Sequence, residues 1–82
     1  MAYQNIIKFA ANETVLSGLF GTQTTYNTNN QKDRNVLRAM IESSLSPENL
    51  SMDGELNPSQ VKQKYEYLTQ CLEELNALDA VA

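Results

Sequence analysis

The sequence has no histidine and no tryptophan, one cysteine, two prolines and three glycines, and each scarcity closes off a class of function. Histidine is the commonest general base and the commonest metal ligand, so its absence excludes Ser-His-Asp and Cys-His catalysis. Cys71 alone cannot form an intrachain disulfide, and one thiolate without imidazole is too little for a zinc or iron–sulfur site. Gly18 and Gly21 stand apart with no Lys-Ser/Thr after them, so no phosphate-cradling glycine loop is encoded. Neither a cofactor, a bound metal nor an enzymatic activity is expected. Long apolar runs are missing too. Nothing approaches the ~18 residues that cross a bilayer, and the N-terminus has neither the basic nor the apolar part of a secretory signal. The expected location is the cytoplasm, away from membranes.

What is present fits one small domain spanning residues 1–82, with 41% hydrophobic and 20% charged residues in the ordinary globular range. A chain of this size buries only ~60–65% of its unfolded surface, so its core is barely sufficient and a second copy or a partner would help. Charge is unevenly placed. Residues 1–45 carry four bases against three acids, whereas residues 46–82 carry two bases, Lys62 and Lys64, against seven acids. That acidic half repels phosphate backbones, and direct nucleic-acid binding is not expected.

The apolar spacing predicts an all-α fold, a small three- to four-helix bundle. Tyr3, Ile6, Ile7 and Ala10 share a helical stripe, and Val15, Leu16, Leu19 and Phe20 share another after a break at Ala11-Asn12. Two short helices follow from this, the second capped by Asn12 and closed by Gly21, although Tyr3 to Phe9 also suits a strand. Residues 21–31 are polar, uncharged and aperiodic, hence a long loop. Its Tyr26 is either a contact residue or a ring folded back on the core. Val36, Leu37, Met40, Ile41 and Leu45 make one stripe of an amphipathic helix capped by Asn29 or Asn30. Arg38 and Glu42 are spaced to pair. The bases Lys32, Arg34 and Arg38 crowd the end of that helix where the dipole disfavours them, as if they face an acidic surface such as the last helix. From residue 58 to 79, Val61, Tyr65, Leu68, Leu72 and Leu75 step by 4, 3, 4 and 3, a seam widened by Cys71 and Leu78, with Tyr67 outside it. This last helix, ~30 Å long against ~21 Å for its predecessor, needs the N-terminal helices or another chain to cover its end.

Between those two helices lies Ser46 to Gln60, with both prolines. Asn57-Pro58-Ser59-Gln60 reads as a helix start, with Asn57 as N-cap, Pro58 at the first helical position and Gln60 reaching back. Ser46-Pro47-Glu48 repeats the device for a short turn, and Asp53-Gly54 is a chain reversal. The last pair of helices then forms an αα-hairpin. The same stretch, as the window Asn49 to Gln60, resembles a degenerate EF-hand loop: oxygen-bearing Asn49, Ser51, Asp53 and Asn57 at positions 1, 3, 5 and 9, and Gly54 at 6. It departs from the family at Asn49, where Asp is usual, and at Gln60, where a bidentate Glu belongs.

The function these features point to is that of a small acidic, non-enzymatic interaction protein that binds and modulates another protein, and that also forms homo-oligomers. In size and charge it resembles bacteriophage accessory proteins that inhibit host enzymes, which would place it in a host cytoplasm. The expected contact residues are Tyr26, Arg34, Arg38, Glu66, Tyr67, Glu73 and Glu74, the carboxylates forming an acidic helix face. Two alternatives differ in class. One is a calcium-responsive EF-hand-like module; the other is an oligomeric binder of a small ligand or nucleotide through Tyr3, Lys8, Tyr26, Arg34 and Arg38.

Overall fold

The computed structural model describes residues 3–22, 24–51 and 57–81, with backbone only at 50 and 51. Among the described residues four helices follow one another: α1 (Gln4–Leu19), α2 (Gln31–Ser44), α3 (Pro47–Ser51) and α4 (Pro58–Val81). No strand occurs among the described residues, and Tyr3 to Phe9 joins α1 rather than forming one. The fold is an all-α small bundle in which α1 and α2 both pack on α4.

α1 is a single helix, which corrects the expected break at Ala11-Asn12. Alanines at 10 and 11 are the strongest helix formers, and an exposed asparagine costs only ~0.7 kcal/mol against them, less than the packing on either side supplies. Thr14 keeps its hydroxyl inside the helix by bonding back to the Ala10 carbonyl at 2.9 Å. At its C-terminus Phe20 caps the helix and Gly21 turns left-handed at φ 82°. The Gly21 amide donates to Gly18 O at 3.1 Å and the Thr22 amide to Ser17 O at 2.9 Å, the paired bonds of a Schellman motif.

The other starts are written locally. Asn30 caps α2, its side chain accepting from the Lys32 and Asp33 amides. Pro47 opens α3, with Ser46 Oγ accepting from the Asn49 amide at 3.3 Å. At α4, the Gln60 amide donates to Asn57 Oδ1 at 2.9 Å and the Asn57 amide to Gln60 Oε1 at 3.0 Å, a reciprocal cap. The Asp53-Gly54 turn lies outside the described residues.

Ile6, Phe9 and Ala10 of α1, Leu37 and Ile41 of α2, and Leu68, Cys71 and Leu75 of α4 form the core. α2 runs antiparallel to α4, since Arg34 meets Asp79 while Arg38, one turn on, also reaches Asn76. The seam of α4 differs from the 4-3-4-3 expectation. Tyr65 is 51% exposed, whereas Tyr67, expected outside, packs against the core. The cause is that α4 is clasped on two sides, so its buried sector is centred on Cys71 between the faces that α1 and α2 cover. On α2, Val36 is 44% exposed and Arg34 takes a buried place. Arg38 turns to Asp79 of α4 instead of Glu42.

Candidate interaction surface

The polar residues singled out in the sequence divide into those the fold consumes and those it leaves in solvent. Glu74 is buried, 6% exposed. α1 has Tyr3 at its N-cap, which makes no side-chain cap bond, and no acid in its first turn. Glu74 supplies both from α4: Oε1 accepts from the Asn5 amide at 3.0 Å and the Ile6 amide at 3.2 Å, and Oε2 from Asn5 Nδ2 at 2.9 Å. Those amides are orphan donors of a helix N-terminus, where partial positive charge welcomes a carboxylate. Beside it, the Tyr67 hydroxyl donates to the Asn5 carbonyl at 3.4 Å. Burial, with Cys71 and Glu74 adding to it, pushes the Tyr67 phenol up to about 12. The Cys71 thiol is also pushed up, by burial first and by Glu74, while its hydrogen bond with Tyr67 opposes the rise.

A second polar cluster ties α2 to α4. Arg34, 5% exposed, donates through Nε to Asp79 at 2.7 Å, through one terminal nitrogen to Thr28 O at 2.9 Å and through the other to Gln31 Oε1 at 2.8 Å. Arg38 donates to the other Asp79 oxygen, to Asn76 and to Asn35. Burial raises the Asp79 pKa, but hydrogen bonds and charge from Arg34 and Arg38 outweigh it and hold the carboxyl below its ordinary value. Of the three crowded bases of α2, Arg34 and Arg38 therefore meet the last helix, while Lys32 is exposed. Every buried side-chain nitrogen or oxygen among the described residues has a partner.

Of the expected contact residues, Glu66 and Glu73 are exposed on α4, Arg38 and Tyr67 are half-buried, and Arg34 and Glu74 are withdrawn from solvent. Tyr26 packs on the core; its amide donates to Thr14 Oγ1 at 3.1 Å. With Ile7, Ala10, Ala11 and Thr28 it lines an open groove of about 260 Å3. Among the described residues no group of three or more acidic or cysteine side chains is placed to hold a metal. Within the EF-hand-like window, the side-chain oxygens of Asn57 and Gln60 are spent on each other's amides.

The surface the sequence did not single out is the far end of α1. Val15, Leu16, Leu19 and Phe20, the second helical stripe of the sequence, are 63%, 43%, 76% and 81% exposed. α1 meets α4 through its first turns, where the Asn5 and Ile6 amides bond to Glu74, and its later turns run on past that contact. They hold only their own loop: Ser17 Oγ donates to Thr24 O at 2.7 Å and accepts from the Thr24 amide at 3.0 Å. A signal was available, because residues 14–31 carry no charged side chain at all. The exposed apolar end of α1 thus runs into a loop that is itself uncharged. No protein-family model, characterised protein or solved structure matches the chain.

Proposed function

We propose that this is a non-enzymatic interaction protein that occupies and modulates an apolar, uncharged surface of a partner protein with the free end of α1. The observation that carries the reading is the exposure of Leu16, Leu19 and Phe20 on consecutive turns, held rigid by the Schellman turn at Gly21. Large apolar side chains clustered and rimmed by polar groups are the usual composition of an interface centre, and a preformed helix end binds without an ordering cost. The chain lacks histidine, and its strongest polar clusters, Glu74 with Asn5 and Asp79 with the two arginines, are engaged in holding helices together. The test is affinity capture from cells that express the protein, comparing wild type with Phe20→Asp. Both chains should be equally helical by circular dichroism. A partner retained by wild type and lost at least tenfold from the variant supports the reading; an identical retained set removes it.

A further inference from the structure

We propose that Glu74 is a latch that holds α1 shut on α4, and that α1 with residues 24–26 opens as one body when the latch is released. The hydrogen bonds between these two helices converge on one turn of α1. Glu74 takes the Asn5 and Ile6 amides and Asn5 Nδ2, Gln70 Oε1 accepts from Asn5 Nδ2 at 3.0 Å, and the Tyr67 hydroxyl donates to the Asn5 carbonyl. Tyr67, Gln70 and Glu74 are three and four residues apart, so they share one side of α4 and grip the same place. The apolar contact is just as short. Ile6, Phe9 and Ala10 are the core residues of α1, and from Ala11 onward only Ser17 is buried.

α2 is held differently. Arg34 and Arg38 fasten one end of it to Asp79 and Asn76, Leu37 and Ile41 lie in the core, and Leu45 packs on the core from the other end. Gripped along its length, α2 stays with α4; gripped by one foot, α1 can leave alone. The segment after α1 divides between these two bodies. Thr24 bonds to Ser17 and the Tyr26 amide to Thr14, and Tyr26 lines a groove with Ile7, Ala10 and Ala11 of the same helix. The next residues turn to α2: the Asn27 amide donates to Asp33 at 3.0 Å, and the Thr28 carbonyl accepts from Arg34. The chain therefore crosses from one body to the other at Tyr26-Asn27.

Once released, α1 does not stay helical. Isolated helices of ~12–15 residues are marginal even when rich in alanine, and this one of 16 residues includes Asn12, Thr14, Val15 and Gly18, all weak helix formers. Leu16 and Leu19 are thus kept ordered by a carboxylate that acts at the other end of their helix and lies 69 residues from Asn5 in sequence. The consequence for binding rests on the reading of Leu16, Leu19 and Phe20 as a contact surface: the latch then sets the fraction of molecules ready to bind. The latch itself is tested without any partner.

Amide hydrogen exchange, followed residue by residue, is the test. In Glu74→Ala, exchange of the Val15 to Leu19 amides should rise ~5-fold or more, by the same factor as Phe9, Ala10, Thr24 and Tyr26, and by more than Asn27, Leu37 and Ile41. Glu74→Gln keeps one accepting oxygen and should give the same pattern at smaller size; it decides the matter if the alanine variant does not fold. Cys71 is buried among core residues of α1 and α2, so its labelling by a thiol reagent should accelerate by the α1 factor. An equal rise in all the helices would show that α1 is no separate body. Unchanged Val15 to Leu19 amides in both Glu74 variants, or a rise there only in Ser17→Ala, would show that the loop holds this end instead. Any of these results overturns the proposal. No partner enters the measurement, so its failure is distinct from failure of the Phe20→Asp capture.

Discussion

Glu74 decides where α1 sits. One carboxylate serves two backbone amides and an amide side chain of a helix that brings no cap of its own. Truncating it leaves those donors buried without a partner, and Glu74→Ala should cost about 1–3 kcal/mol, as for a lost cap with an added desolvation penalty. Glu74→Gln keeps an oxygen that can accept from Asn5 and Ile6 but loses the charge, so it should fall between the two. Urea unfolding measures both; a Glu74→Ala chain within ~0.3 kcal/mol of wild type would remove this role. In the sequence Glu74 looks like its neighbour Glu73, which does remain in solvent. Nothing local separates them, because the partner of Glu74 lies 68–69 residues away.

At the scale of elements, α1 carries two glycines with opposite expectations. Gly21 sits at φ 82°, where a β-carbon is strained whatever the space around it. Gly21→Ala should destabilise by about 1 kcal/mol and loosen the Leu19-Phe20 end. Gly18 lies inside the helix with nothing near its missing β-carbon, so Gly18→Ala should stabilise by about 0.5–1 kcal/mol. Thermal melts should move in opposite directions; a shared direction would contradict the Schellman assignment. The helix ends are the most legible part of the sequence, since a cap joins residues two or three apart: Asn30 to Lys32 and Asp33, Asn57 to Gln60. The continuity of α1 was less legible, because Ala11-Asn12 interrupts the apolar rhythm without interrupting the backbone.

For the molecule as a whole, pH reports how the layers are joined. The folded Asp79 pKa is lowered, so its contribution is present above the unfolded aspartate value near 3.8 and disappears as pH falls through the folded value. Tyr67 is raised from 10.0 to about 12, so its contribution is complete below 10 and lost as pH climbs to about 12. The raised thiol of Cys71 acts in the same sense from its ordinary 9.0 upward. Urea midpoints against pH should therefore fall at both ends. Asp79→Asn should flatten the acid limb and Tyr67→Phe the upper part of the alkaline limb. An alkaline limb unchanged between 10 and 12 in Tyr67→Phe would show that the phenol is not desolvated as described.

The sequence by itself determined the helical class, the caps that start α2, α3 and α4, the polar loop after α1 and the lack of histidine chemistry, because composition, periodicity and capping act within a few residues. Tertiary structure decided which side of each helix is inside. α1 and α2 clasp α4 from two directions, which moves Tyr67 and Glu74 inward, leaves Tyr65 outside and buries Arg34 on Asp79. The docking of α1 through its first turns leaves its later turns exposed, and so makes the apolar stripe there the surface on which the proposed function rests.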